Sequence, residues 1–215
     1  MNPNKAPGPD GFNCCFFQKA WSIIGEDVVA AVKEFFSSGL LLKELNSTII
    51  TLVPKVANPT TMSDFRPISC CNTLYKIIAK LLANKLKGVL HLIVGPSQSA
   101  FIPGRRIGDN ILLAQELLRD YHKAIGHPRC TLMVDIMKAY DTFEWDFILA
   151  TLEAFNIPPT LISWIKSCIS SLRFSVAVNG ELAGFFASKW GLRQGDPLSP
   201  YLFVIAMEAL SLCIL

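Results

Sequence analysis

The chain has no Cys-x-x-Cys pair, no Asp-Asp dipeptide and no acidic residue between Asp64 and Asp109. The first absence excludes a zinc knuckle. The odd total of seven cysteines, four of them in the adjacent pairs Cys14-Cys15 and Cys70-Cys71, does not suit a disulfide framework. These thiols are expected to be reduced and mostly buried, as small apolar side chains of an intracellular protein. No charged-then-apolar leader opens the chain, which begins on polar sequence rich in Pro, Asn and Gly. The lack of acid in the middle leaves Arg66, Lys76, Lys80, Lys85, Lys87, Arg105 and Arg106 unbalanced. Such a one-sign stretch attracts phosphate backbones, although a basic helix face is also commonly just solvated.

What is abundant is apolar sequence. Of 215 residues, 51% are hydrophobic and 17% charged, with a mean hydropathy of +0.39. The length suffices for one large domain or two small ones, and the greasiness implies a partner surface, either neighbouring protein segments or a membrane. Leu198 to Leu215 reaches the minimum spanning length. Against a membrane span, Glu208 would sit mid-helix at a cost of about 2.5–3.5 kcal/mol, and Ser199-Pro200 reads as an N-cap and first helical position. A buried helix is expected there. The net charge of +3 is too mild to identify a nucleic-acid binder.

Along the chain, Asn4 to Phe12 is turn chemistry, because its prolines and glycines forbid a helix. Apolar residues from Phe16 to Phe36 recur at helical spacing until Gly39 ends the pattern. The β-branched run Ser47–Val53, the polar turn 56–63 and Phe65-Arg66-Pro67-Ile68 predict a hairpin with a long tip. A helix is predicted over Asn72–Val94, with Leu74, Ile77, Ile78, Leu81, Leu82, Leu86 and Leu90 on its apolar face and Lys76, Lys80 and Lys87 displayed outside it. A loop over Ser97–Arg106 leads to a helix from about Asp109 to Ile125. Two further helices follow, Trp145–Phe155 and Leu161–Leu172. A second hairpin runs from Arg173 to Ser188 around Asn179-Gly180, a type I′ signal.

Between these lies Leu132-Met133-Val134, an apolar β-prone run that predicts a strand delivering Asp135 at its carboxyl end, where α/β folds keep ligands. By itself such an Asp is by default a turn or helix-capping residue. It is followed by Ile136-Met137-Lys138-Ala139-Tyr140-Asp141, and further on by Gly191-Leu192-Arg193-Gln194-Gly195-Asp196-Pro197-Leu198-Ser199-Pro200. Together these resemble motifs A and B of the reverse transcriptases of LINE-type (non-LTR) retrotransposons. Lys5-Ala6-Pro7-Gly8-Pro9-Asp10-Gly11, Arg66-Pro67-Ile68-Ser69 and the Gln98-x-x-Phe101-x-x-Gly104-Arg105 pattern stand in that family's order and extend the resemblance over nearly the whole chain.

The resemblance implies an α+β right-hand polymerase, with fingers over residues 1–125, a partial palm over 126–215 and no thumb. It implies RNA-directed DNA synthesis, adding dNTPs to a DNA primer on an RNA template by two-metal magnesium chemistry. Asp135 and the carbonyl of Ile136 would form a magnesium half-site. Lys55, Arg66, Tyr140, Gln194 and Gly195 would face the nucleotide, and Gln98, Phe101, Gly104 and Arg105 would lie near the template. Tyr140 matches the family's steric gate against a 2′-hydroxyl; read without the family it is a core aromatic. The family's third motif carries an Asp-Asp pair that this sequence lacks. The chain is therefore expected to be a fragment, separated from palm and thumb segments of a parent polyprotein and catalytically incomplete. A non-catalytic nucleic-acid-binding remnant and another right-hand polymerase, such as an intron maturase, are the alternatives. An intracellular protein, nuclear or cytoplasmic and with no membrane contact, is expected.

Overall fold

The computed structural model describes residues 1–119, 121, 130–178 and 180–214. The first helical pattern is divided at Ala20 into α1 (Cys14–Lys19) and α2 (Trp21–Ser38). Asn13 caps α1 by accepting from the Phe16 N–H, and Gly39 closes α2 in the left-handed conformation that glycine adopts at low cost.

The first hairpin forms as its sequence predicts. Strand β1 (Ser47–Pro54) pairs antiparallel with β2 (Phe65–Cys71), Val53 opposite Arg66. Pro67 is tolerated because β2 lies at a sheet edge, where a missing N–H leaves no ladder bond unmade. At the tip, the Asp64 carboxylate accepts the backbone N–H groups of Thr60 and Thr61 at 2.9 and 2.8 Å.

Helix α3 (Thr73–Ile93) is the axis of the core. Tyr75, Ile78, Leu82, Leu86 and Leu90 are fully buried along it. The buried face is rotated from the one predicted: Tyr75, Ala79 and Ala83 line it, and Leu81 is exposed. Lys76, predicted on the outer surface, is instead buried and donates to the Ala6 carbonyl at 3.0 Å. The reason lies in the N-terminal segment, which lies across the start of α3. Gly8 is so close to Asn72 that a Cβ would fall 2.3 Å from its backbone nitrogen. The ammonium of Lys76 is drawn inward to a carbonyl of that segment.

After α4 (Ile107–Leu118) come a single helical turn, α5 (Ala139–Thr142), then α6 (Trp145–Ala154) and α7 (Pro159–Ser170). Strands β3 (Arg173–Val178) and β4 (Glu181–Ala187) form the second predicted hairpin, and α8 (Ser199–Ile214) follows. Helices α2, α7 and α8 pack on α3, and α6 packs on α7 and α8. The four strands make one sheet of order β2-β1-β3-β4, with β1 and β3 parallel. The sheet thus joins strands from the first and last thirds of the sequence. In β4, Gly184 and Phe185 oppose the single residue Ser175, a bulge that Gly184 accommodates at φ +53°. The expected boundary near Gly126, the end of the helix expected to reach Ile125, and Asn179 of the second turn lie outside the described residues.

The strand predicted at Leu132–Val134 does not form. Residues 131–136 are irregular, and Leu132, Met133 and Val134 are 83%, 91% and 67% exposed. An extended run becomes a strand only by pairing, and among the described residues no strand lies beside this one. Ile107, Ile111, Leu112, Leu113 and Leu117 on α4 are exposed as well, so the apolar excess of the composition is displayed on the surface. Of the cysteines, Cys14, Cys71 and Cys168 are buried, whereas Cys130 and Cys213 are exposed; all seven are free. Among the described residues, no helix is long and apolar enough to cross a membrane. Glu208 is buried in α8, and a Cβ at Gly95 would stand 3.1 Å from its carboxylate.

Candidate functional site

Three segments distant in sequence meet at the turn before α8. Burial falls away at its tip: Leu192, Arg193, Asp196, Leu198 and Ser199 are buried, while Gln194 is half-buried and Gly195 exposed. The turn is a tip held by two anchored legs. Its Gln194 carbonyl accepts the Ser69 N–H of β2 at 2.9 Å. Gly195 has φ +105°, and a Cβ there would meet the Ser69 carbonyl at 3.2 Å, so the residue is required both for conformation and for close approach. Arg66, exposed and three residues before Ser69, shares the strand that the tip grips.

On its other side the turn grips the segment after Asp135. The Leu192 N–H donates to the Tyr140 carbonyl at 2.6 Å and the Gly191 N–H to the Phe143 carbonyl at 2.7 Å. Trp145 Nε1 donates to the Gly191 carbonyl at 2.9 Å. The Tyr140 ring stacks on Phe203 of α8, centroids 5.0 Å apart and planes 10° apart, with Phe143 edge-on to the same ring at 5.7 Å. Burial raises the Tyr140 phenol above its ordinary pKa.

Beneath the tip lies a polar network that sequence reasoning missed. Arg193 and Asp196 pair at 2.7 Å with about 4% and 5% exposure. Arg193 also donates to Asn46 Oδ1 at 2.8 Å and Thr48 Oγ1 at 3.1 Å, and its guanidinium stands 4.0 Å over the Tyr75 ring. The Tyr75 hydroxyl donates to Asp196 Oδ2 at 2.6 Å, and the Leu198 N–H to Asp196 Oδ1 at 2.8 Å. Asn46 in turn donates to the Cys168 carbonyl and Ser171 Oγ, both at 2.8 Å. Burial opposes the charge on Arg193, but the Asp196 carboxylate paired with it keeps the guanidinium charged, its pKa above the usual value. Burial drives the Tyr75 phenol well above its ordinary pKa and the Cys168 thiol up to about 12. The signal available in the sequence was an Arg and an Asp three apart, flanked by Leu192 and Leu198. Their partners, Asn46 and Tyr75, are more than a hundred residues away and carry no local mark.

The remaining predicted residues are placed as follows. Lys55 is exposed and donates to the Ser63 carbonyl at 2.8 Å within the hairpin tip. Arg105 turns inward, donating to the carbonyls of Val94 at 3.0 Å, Gln98 at 2.7 Å and Gly95, so it closes the C-terminal end of α3. Phe101 is exposed at φ +62° and Gly104 has φ +80°. Asp135 is exposed, and its carboxylate makes no hydrogen bond or ion pair to the described residues. Among those residues no group of three or more His, Cys, Asp or Glu could hold a metal ion. One carboxylate with the Ile136 carbonyl does not fit a two-metal centre, whose mutually repelling ions need several hard anionic ligands.

In this mixed sheet-and-helix domain an Arg-Pro-Ile-Ser strand, a Tyr-bearing turn and a Gln-Gly tip are fastened to one another. The chain belongs to the reverse transcriptase (RNA-dependent DNA polymerase) family, whose model matches residues 53–213. It is 34% identical over its whole length to the transposon TX1 uncharacterized 149 kDa protein of Xenopus laevis, covering 16% of that protein. It is 27% identical over 96% of its length to the Pol polyprotein of the type-2 retrotransposable element R2DM of Drosophila melanogaster, covering 19% of it. The Pol polyprotein of the type-1 element R2 of Nasonia vitripennis is 26% identical over 95% of the chain, 19% of that protein. The expectation of a LINE-type reverse transcriptase domain is thus borne out. The chain spans less than a fifth of these relatives.

Proposed function

We propose that this chain supplies the fingers and part of the palm of a right-hand reverse transcriptase that extends a DNA primer on an RNA template. The observation that supports this best is the double grip of the Gln194-Gly195 tip, on Ser69 of the Arg66 strand and, through Leu192, on Tyr140. A nucleoside triphosphate needs fixed positive charge for its phosphates and a shaped wall for its sugar. Arg66, with Lys55 on the same hairpin, supplies the charge. Tyr140 supplies the wall against a 2′-hydroxyl, and Gln194 and Gly195 a close backbone surface. Gln98, Phe101, Gly104 and Arg105 belong to the template side, where Arg105 shapes the loop and Phe101 offers an exposed ring for stacking.

Asp135 with the Ile136 carbonyl would hold part of a divalent-metal site, and the further carboxylates would come from outside these residues. The chain alone is therefore catalytically silent. Purified chain, primer on RNA template, Mg²⁺ and dNTPs test this: no extension is expected, and robust incorporation overturns it. In a polymerase carrying this domain, Tyr140→Ala is expected to admit ribonucleotides; unchanged sugar selection removes the gate assignment.

A second reading, a nucleic-acid-binding remnant, is favoured by the exposed Lys80, Lys85, Lys87 and Arg106. RNA binding by the isolated chain that weakens with salt, and is lost on reversing those charges, supports it. Binding indifferent to the reversals rejects it.

A further inference from the structure

The tip contains Gly195, the residue type that loses most conformational freedom on ordering, and its Gln194 carbonyl makes a single backbone hydrogen bond to β2. What fixes it lies on either side. Arg193 and Asp196 leave the turn in the same inward direction and close on each other across it at 2.7 Å. Each is then tied to a different element: Arg193 to Asn46 and Thr48 at the start of β1, Asp196 to Tyr75 of α3. These bonds are directional, so they specify how far the tip projects and which way it faces. Apolar side chains of the same bulk would fill the space without that specification. A buried ion pair is a poor source of stability relative to apolar packing, so its distinctive contribution here is geometric.

We propose that Arg193, Asp196 and Tyr75 are positioning residues that preset the Gln194-Gly195 tip, and through Ser69 the Arg66 strand, as one receptor for a deoxynucleoside triphosphate. This rests on the nucleotide reading above. A preset receptor does not have to order its glycine turn at the moment of binding, so losing the network weakens nucleotide affinity even where the fold survives.

The test uses the 215-residue chain with the paired substitution Arg193→Met/Asp196→Leu, and separately Tyr75→Phe, which removes only the hydroxyl bonded to Asp196. Two quantities are read on folded protein: exchange of the Ser69 amide relative to global unfolding, and binding of dGTP with Mg²⁺ by ligand-observed NMR. In the paired variant Ser69 exchange is expected to quicken beyond any change in global stability, with dGTP affinity falling about three- to tenfold. Tyr75→Phe is expected to act in the same direction and less strongly. Unchanged Ser69 protection, or a loosened tip with unchanged affinity, overturns the positioning role and leaves the nucleotide reading intact. Absence of dGTP binding by the unsubstituted chain removes the nucleotide reading, and this proposal with it.

Discussion

Arg193 and Asp196 face each other at 2.7 Å beneath the Gln194-Gly195 tip, buried against the ring and hydroxyl of Tyr75. Two charges withdrawn from water at the centre of a domain make a specific statement about substitutions there. Asp196→Ala leaves an unpaired guanidinium in the interior and is expected to cost about 3–5 kcal/mol. Arg193→Met/Asp196→Leu, which removes both charges, is expected to cost far less. Urea unfolding of the two variants checks this; equal losses would show that the charges are not the reason.

Gly191 has φ +90°, and a Cβ there would meet the backbone oxygens of Asp141 and Tyr140 at 3.2 and 3.3 Å. Neither backbone oxygen has a flexible side chain's freedom to retreat. Gly191→Ala is expected to destabilise by about 1–3 kcal/mol and to break the Leu192 to Tyr140 bond first. Amide exchange at Leu192 in the variant measures it, and unchanged protection would contradict the geometry.

Arg105 and Arg106 are neighbours with opposite roles. The first has its guanidinium bonded to the carbonyls of Val94, Gly95 and Gln98, whereas the second is exposed. Arg105→Ala is expected to lower stability by about 1.5–3 kcal/mol, the worth of a hydrogen bond to a charged group. Arg106→Ala is expected to leave stability within about 0.5 kcal/mol and to reduce the salt slope of RNA binding. Thermal melts paired with binding at two salt concentrations separate these outcomes.

The Asp64 carboxyl is held below its ordinary pKa of 3.8 by the backbone N–H of Thr61 and then that of Thr60. Its contribution to the hairpin tip is therefore complete above that ordinary value. It is lost only as pH falls through the lower folded-state pKa. Following the Thr60 and Thr61 amide shifts through an acid titration tests the sign. A tip that loosens between pH 5 and 7 would refute it.

How much was legible in the sequence follows the range of the forces involved. The first hairpin is readable because its β-branched run and its polar tip are both local marks. Helix α3 was readable in existence and extent, while the choice of buried face was not: Lys76 points inward because a segment some seventy residues earlier lies over it. The run Leu132–Val134 has every local property of a strand and forms none among the described residues. A strand is a property of a pair, and sequence specifies only one member.

The sequence by itself determined both hairpins, the main helices, the order of the motifs and hence the family, because propensity, turn chemistry and side-chain type act within a few residues. Only the tertiary structure decided which residues hold the candidate site together. It brought Ser69 to Gln194 and Tyr140 to Leu192, and it buried Arg193 with Asp196 against Tyr75 and Asn46. Those contacts join positions tens to more than a hundred residues apart, and a buried charge has meaning only once the group that compensates it is in place.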